Sequence, residues 1–239
     1  KFEVQTAKIM KQFFCLRSKL SILLAALALG LSIVSCSKPD NQLERLLRVL
    51  DEVIVNQKVY ERKRLEKIEI CRQQMLSAPE DSLVYFYDRM FFLFYSFQSD
   101  SALFYARKGV EASINHPDRN AAAKARINLA NIYYLTGAYP SSHVMLNGID
   151  RSSLSERMLI ELYSSYNSLY EALRISAIDP EDKQHYFQRA ISYKDSILAI
   201  NPENFFVKSD RLLIDGKIIP AMDVLNPICE NLDISDPLM

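Results

Sequence analysis

Histidine, the side chain that carries most metal-binding and acid–base chemistry, occurs three times in the 239-residue chain, at His116, His143 and His185. None of the three is followed four positions later by a histidine or an acidic residue, the spacing that presents two metal ligands on one helix face. The sequence also lacks the HExxH, CxxC, Walker and GxSxG motifs. It therefore predicts no metal, no cofactor and no catalytic residue. An enzyme whose site is assembled from distant residues stays a remote alternative.

The cysteine with the most informative surroundings is Cys36, which ends the run Leu-Ser-Ile-Val-Ser-Cys. An aliphatic residue three positions before the cleavage point, a small Ser35 just before it and cysteine just after it resemble a bacterial lipobox. That resemblance implies cleavage after Ser35 and attachment of a diacylglycerol to the Cys36 thiol. The alternative is an ordinary signal peptide or anchor helix in which this cysteine is a coincidence.

The residues before Cys36 have the layout of a secretory signal, with basic residues at 11, 17 and 19 followed by a charge-free apolar run over 20–34. This run is shorter than the ~20 residues that a membrane-spanning helix needs. We therefore interpret residues 1–35 as a signal segment. Within it, Met10 is the expected start of translation, and residues 1–9 are upstream sequence. The expected location is the envelope of a Gram-negative bacterium, where a lipid anchor holds the chain facing the periplasm or the cell surface. The two or three acyl chains of a lipoprotein give stable anchoring.

The charge balance argues against a nucleic-acid partner. The whole chain has 29 basic and 29 acidic residues. Residues 1–35 contain five basic residues and one acidic residue, which leaves 24 basic against 28 acidic residues after cleavage. A slightly acidic chain lacks the basic excess that binding to phosphate backbones requires.

The elements that would position any site are helices. Glycine occurs only 5 times, and apolar residues recur with the 3.6-residue period of helices while strand-type alternation is absent. We expect an amino-terminal helical hairpin over 36–79, made of helices at 40–57 and 58–77. The segment 82–97 is apolar on nearly every side and predicts a buried central helix. Helix starts are predicted at Ser153, Asp179 and Asn201 from their capping residues.

One segment, Ala123 to Leu146, resembles a tetratricopeptide repeat (TPR). Leu129, Ala130 and Tyr133 have the large, small and aromatic types of its first helix, and Gly137 lies in its turn, where a positive φ is needed. A weaker copy extends from Phe205 to Ile228, with Gly216 in the turn. The alternative is a generic helical bundle that contains one matching motif.

The repeats extend beyond these two copies. The segment 100–112 resembles the second helix of an earlier repeat, and the helices near 154–176 and 181–199 resemble a divergent hairpin. The resemblance implies an all-α fold of stacked antiparallel helical hairpins, a TPR-like right-handed α-solenoid, over 80–239. Because Cys71 and Cys229 would lie at opposite ends of such a stack, we expect two separate buried thiols and no disulfide bond.

In TPR proteins the first helices line a concave groove that binds extended peptides or partner helices. By this resemblance the groove residues of the best-matching repeat are Lys124, Ile127, Asn128, Asn131 and Tyr134. A solvated polar face is the alternative interpretation of these residues. The resemblance predicts a non-enzymatic, lipid-anchored scaffold that binds a protein or peptide partner.

Two further expectations concern what the chain assembles with. The chain also resembles the periplasmic TPR portion of membrane-bound bacterial sensors and transcription regulators, so a truncated sensor ectodomain is the alternative function. The last repeat carries an apolar stripe through which we expect self-association, formed by Leu225, Ile228, Leu232 and Ile234.

Overall fold

The computed structural model describes the backbone of residues 41–231 and the side chains of residues 44–227. This part of the chain contains ten α-helices, one short 3-10 turn and no strand. The helices are α1 (Asn41–Val55), α2 (Gln57–Leu76), α3 (Leu83–Tyr95), α4 (Ser99–Ser113), α5 (Arg119–Leu135), α6 (Tyr139–Asn147), α7 (Glu156–Ser176), α8 (Pro180–Ile200), α9 (Phe205–Ile214) and α10 (Ile218–Asn231). The all-α prediction is confirmed.

The chain divides at Gln57 into two compact units. The described part of the first unit is helix α1 with Asn56 and Gln57. Near the start of this helix, Glu44 and Arg48 form an exposed ion pair one helical turn apart. The second unit contains the rest of α2 and four hairpins, α3–α4, α5–α6, α7–α8 and α9–α10, each made of helices in contact with one another. Short connections between contacting helices produce the antiparallel hairpins of a repeat protein. The predicted division into 36–79 and 80–239 stays a prediction.

Side-chain caps are present at the starts of four described helices, α5, α7, α8 and α9, and two of these caps differ from the sequence-based assignment. Asp179 accepts a hydrogen bond from the Glu181 backbone N–H and precedes a proline at the first helical position, as predicted. Helix α7 is capped by Ser155 and not by Ser153, because the Ser155 hydroxyl accepts from the Met158 N–H. Helix α9 is capped by Asn204, whose side chain accepts from the Val207 N–H.

The predicted cap at Asn201 is therefore wrong. Asn201 ends helix α8 instead, and its side chain accepts a hydrogen bond from the Glu203 N–H at 3.1 Å.

Both predicted turn glycines have left-handed backbones, with φ of 80° at Gly137 and 73° at Gly216. A side chain is disfavoured at such φ values, which explains glycine at both turns.

The core of the second unit is built where small residues let helices approach. Ala102, Ala130 and Ser142 have no solvent exposure, and each lies at a position where the TPR resemblance expects a small side chain. Around them pack the large residues of two main clusters. One cluster joins α2, α3, α4 and α5, and the other joins α5, α6, α7 and α8. Helix α5 contributes to both, so it connects the stack into a continuous core.

Helix α3 is less enclosed than its composition predicts. Phe91 and Phe94 are buried, but Tyr85 and Phe92 are each 51% exposed. The expectation of a buried central helix is corrected to a helix that is buried on part of its surface and has an exposed aromatic edge. The aromatic residues of a helix indicate how apolar it is, whereas the burial of each side chain depends on which helices pack against it.

Several predicted features lie outside the described residues. These are the signal segment, the Cys36 lipidation site and the apolar residues Leu232 and Ile234. The side chains of Ile228 and Cys229 are likewise outside the described part, whereas Cys71 is a buried free thiol. Within the described residues, none of the helices combines the length and apolarity needed to span a bilayer.

Candidate peptide-binding surface

The first helices of three successive hairpins, α3, α5 and α7, lie side by side. Helix α5 contacts both α3 and α7, whereas contacts between the second helices α4, α6 and α8 are sparse. In a stack of helical hairpins, the closer spacing of one set of helices places that set on the inner side of the curve. We call the polar and aromatic side chains that connect these three helices the inner row. Its members are Asp88, Phe92, Tyr95, Lys124, Asn128, Asn131, Tyr134 and Glu161.

The innermost contact of the row joins α3 to α5. The Asn128 side-chain amide donates a 2.7 Å hydrogen bond to a carboxylate oxygen of Asp88. Asn128 is 2% exposed, so it packs between helices and does not face solvent. Burial raises the pKa of Asp88, and the nearby Glu161 charge raises it further, while the Asn128 hydrogen bond and the Lys124 charge oppose this. The net direction is upward because desolvation disfavours the charged carboxylate.

Lys124 connects all three helices. Its ammonium group forms an ion pair with Glu161 of α7 and lies 4.7 Å from the centre of the Phe92 ring of α3. Both charged side chains are partly buried, at 20% and 25% exposure, which reduces solvent screening of the pair. Lys124 is thus positioned on the predicted surface, but its charge is already paired.

The carboxyl half of α5 completes the row. The buried Asn131 side-chain oxygen has no hydrogen-bond partner among the described residues. Tyr134 is half-buried and shares a hydrogen bond with Tyr95 of α3. Burial and this hydrogen bond both raise the pKa of the Tyr95 phenol. The Asn131 side chain as a whole keeps partial exposure, so rotation of its amide would present this buried acceptor to an N–H donor of a ligand.

The structure corrects two of the five predicted groove residues. Ile127 is 1% exposed and packs in the core cluster with Ala123 and Leu162. Asn128 is buried by its bond to Asp88, as described above. Lys124, Asn131 and Tyr134 keep partial exposure. The physical reason is that α5 is covered on two sides by α3 and α7, so only a narrow strip of its surface remains open.

Sequence reasoning missed Asp88, Phe92, Tyr95 and Glu161. A signal for Asp88 was present, because it precedes Asn128 by 40 residues, the same offset that separates Ala102 from Ser142. Equivalent positions in adjacent repeats meet across the contact between their helices. The other three residues lie on helices that match the repeat motif only loosely, and no spacing rule identified them.

A second polar cluster, also unforeseen, joins α7, α8 and α9. The Lys194 ammonium group donates to Asn167 at 2.8 Å and to Glu171 at 3.1 Å, and it lies 3.2 Å from Asp210. Burial raises the pKa of Glu171, but hydrogen bonds and charges from Arg174 and Lys194 outweigh burial and hold the pKa below its usual value. Since Lys194 is 4% exposed, its ammonium group connects helices and is not available to a partner.

The histidines occupy structural positions. His116 Nδ1 accepts from the Asp118 N–H, and its Nε2 lies 2.9 Å from the Asp81 carbonyl oxygen. His143 Nδ1 lies 3.0 Å from the Asn147 side-chain amide. The residues that the structure describes contain no group of three or more His, Cys, Asp or Glu side chains able to hold a metal ion.

Comparison with known proteins gives one result. Residues 54–239 match a protein-family model described as the SusR N-terminal TPR domain. No curated protein and no solved structure matches the chain. The match covers all four hairpins, including α3–α4 and α7–α8, which fit the repeat motif only loosely by sequence.

Proposed function

The chain belongs to the family of SusR N-terminal TPR domains, and we propose that it is a non-enzymatic scaffold, anchored in the bacterial cell envelope by a lipid on Cys36. TPR domains in general mediate protein–protein interactions, which makes binding of a partner the expected activity. The lipobox-like run before Cys36 supports the anchor. The envelope location follows from the same run, and the inner row supplies the binding surface.

We propose that the inner row binds an extended peptide. The observation that carries this proposal is the side-chain oxygen of Asn131 on the first helix of the central repeat, a buried acceptor with no hydrogen-bond partner among the described residues, which a rotation of the partly exposed amide would present to a ligand. A peptide backbone offers N–H groups at regular spacing, and one of them can satisfy this acceptor. The exposed Phe92 ring supplies apolar contact nearby, since it is 51% exposed. Aromatic side chains provide large contact area at low entropic cost.

Panning of a random peptide library against the purified chain tests this proposal. Enriched peptides should bind the wild-type protein and lose at least tenfold in affinity for Asn131→Ala and for Phe92→Ala. The matched control is Phe104→Ala, which removes a similarly exposed ring, 54% exposed, from the second helix α4. Failure to enrich any peptide, or equal binding by all three variants, would reject the inner row as a peptide site.

A second candidate function is the ectodomain of a membrane-bound regulator. The family match favours it, because the matched model is by its description an amino-terminal domain of SusR. In this arrangement the repeats sense a ligand or partner in the periplasm, and a later segment carries the signal across the membrane. The two candidates share the repeat surface and differ in how the chain is held.

The genomic reading frame distinguishes the two candidates. If the frame continues past Met239 into an apolar span of ~20 residues, the sensor is favoured. A stop codon at that point, together with lipid on Cys36, favours the scaffold. Transcript sequencing and mass spectrometry of the native protein give both answers in one preparation.

A further inference from the structure

A stack of tyrosines lies between helices α7 and α8. The rings of Tyr166 and Tyr193 are parallel within 3°, and their centres lie 4.6 Å apart. Tyr170 stacks on Tyr193 at 5.8 Å. All three residues are at least nine-tenths buried, with exposures of 1%, 9% and 7% for Tyr166, Tyr193 and Tyr170.

Two arginines border this stack. The Arg151 guanidinium lies 5.4 Å from the Tyr166 ring centre, and the Arg189 guanidinium lies 5.4 Å from that of Tyr170 and 5.7 Å from that of Tyr193. Arg151 also donates to the Tyr166 hydroxyl at 3.4 Å and is a hydrogen-bond partner of the Tyr193 hydroxyl. The two guanidiniums thus border one stack of rings, Arg151 at Tyr166 and Arg189 at Tyr170 and Tyr193.

The positive charge of this cluster is not neutralised within the part of the chain that the structure describes. Neither Arg151 nor Arg189 forms an ion pair there, in contrast to Arg174 and Arg211, which pair with carboxylates. The adjacent carboxylate of Asp150 is occupied by the Ser152 N–H at 3.0 Å and the Ser152 hydroxyl at 2.8 Å.

The tyrosines do not supply the missing negative charge. Burial raises the pKa of Tyr166 and of Tyr193 above the ordinary value for a phenol, so both hydroxyls are neutral at physiological pH. Stacking on aromatic faces fixes the guanidinium planes while leaving their N–H edges able to bind a ligand. Two guanidiniums that border one tyrosine stack, and that form no ion pair with the described residues, make a preorganised cationic site.

We propose that Arg151 and Arg189 bind an oxyanion group, a phosphate, sulfate or carboxylate, of a small ligand. The N–H fork of arginine matches the oxygen spacing of these groups and binds them with two parallel hydrogen bonds. This site shares no residue with the inner row, and it is independent of the peptide-binding proposal. The tyrosine stack serves as its rigid floor.

Isothermal titration of the full chain with sodium phosphate, sodium sulfate and sodium acetate tests the site, with sodium chloride at equal ionic strength as the reference. The wild type should bind at least one oxyanion and not chloride. Arg151→Gln and Arg189→Gln should each weaken binding at least tenfold. The matched control Arg157→Gln removes a charge from a side chain that is 90% exposed and should leave binding unchanged.

The pattern of anions identifies the ligand chemistry. Phosphate and sulfate binding without acetate assigns a tetrahedral oxyanion, whereas comparable acetate binding assigns a carboxylate. No binding by the wild type, or binding equal in all three variants, overturns the proposal. If a glutamine variant fails to fold, thermal melting of the wild type in the presence of each anion tests the proposal instead. A melting temperature raised no further by the oxyanions than by chloride also overturns it.

Discussion

The Asn128 amide of helix α5 donates a 2.7 Å hydrogen bond to the Asp88 carboxylate of helix α3, 40 residues earlier in the chain. The two residues hold equivalent positions in consecutive repeats, so this bond fixes the register in which one hairpin stacks on the next. Asn128 is nearly inaccessible to solvent. A residue type often regarded as a ligand contact in this repeat family therefore acts here as a contact between repeats.

Replacement of Asn128 separates its packing role from recognition. Asn128→Ala leaves a buried carboxylate without its donor, so we expect a loss of about 1.5–3 kcal/mol in unfolding free energy, the range for hydrogen bonds to charged groups. Asn131→Ala removes an amide whose oxygen has no partner among the described residues and should change stability by no more than about 0.5 kcal/mol. Leu129→Ala, at a 5% exposed core position, should cost about 2–5 kcal/mol.

Urea unfolding followed by circular dichroism measures all three variants. The assigned register of α5 requires Leu129→Ala and Asn128→Ala each to be clearly more destabilising than Asn131→Ala. If Asn131→Ala were as damaging as Leu129→Ala, the helix would be rotated relative to this description and the inner row would be misassigned.

Asp88 should give stability an unusual pH dependence. Its pKa is raised in the folded chain above the ordinary value of 3.8, so the folded state binds the proton more tightly than the unfolded state. The contribution of Asp88 to the free energy of unfolding is fully present below pH 3.8. It is lost as the pH rises through the pKa that Asp88 has in the folded chain. Asp88→Asn removes that ionisation. Its stability relative to the wild type should therefore improve as the pH rises from 3 to 7.

Asp118 provides a matched control of opposite sign. Burial raises its pKa, but hydrogen bonds from Tyr85 and from the Ala121 and Asn120 N–H groups, with the His116 charge, outweigh burial and lower it. This group stabilises the fold above pH 3.8 and less so as the pH falls through the folded pKa. Asp118→Asn should therefore lose stability relative to the wild type over the same rise in pH. Parallel pH profiles for the two variants would contradict the assigned shifts.

The helical fold was predictable because its signals are local. Leu129, Ala130 and Gly137 identify a repeat from spacing alone, and the left-handed φ of Gly137 explains why that residue type is required. Helix starts were less certain, since Ser153 and Ser155 both precede Glu156 closely and only one hydroxyl reaches the Met158 N–H. Capping depends on backbone angles that residue type does not determine.

The binding surface was only partly predictable, because the burial of a side chain depends on the helices that pack against it and not on its own helix alone. Periodicity places Lys124 and Ile127 on α5, but the coverage of Ile127 depends on the path of α7. The Lys194 cluster joins residues from three helices, and the Arg151–Tyr166 contact joins helix α7 to the loop before it, at distances in sequence that follow no repeat period. Such contacts appear only once the helices are positioned in space.

The buried Lys194 should be important for stability. Lys194→Met keeps the length of the side chain but removes the charge that holds Glu171 and Asp210. Because Glu171 retains Arg174 and Asp210 is 52% exposed, the cost should be about 1–3 kcal/mol, below the range for a fully uncompensated buried charge. The control Lys183→Met changes an exposed lysine of the same helix. Equal unfolding free energies in the two variants would show that the cluster contributes nothing.

Lipid attachment at Cys36 is a direct chemical prediction. Metabolic labelling with a palmitate analogue should label the wild type and leave Cys36→Ala unlabelled. Cys15→Ala is the matched control, because Cys15 precedes the expected cleavage point and its loss should leave the label intact. Equal labelling of the wild type and Cys36→Ala would eliminate the anchor, as would an intact Ser35–Cys36 bond in most of the mature protein.

The last hairpin should drive self-association. Helices α9 and α10 expose large apolar side chains, with Phe206 71%, Ile219 72% and Met222 55% accessible. Exposed apolar side chains of this size on one hairpin are typical of an interaction surface. Analytical ultracentrifugation of the purified chain should show dimers or larger species at micromolar concentrations. The double variant Phe206→Ser/Ile219→Ser should sediment as a monomer, since it removes the two most exposed of these side chains.

The matched control for this patch is Phe104→Ser/Ile178→Ser, which makes the same chemical change at residues 54% and 94% exposed elsewhere in the repeats. It should associate as the wild type does, because general surface polarity is altered equally in both double variants. A wild-type chain that stays monomeric across this concentration range would show that the patch does not bind a second copy. Loss of association in both double variants would show that the contact is not specific to the last hairpin.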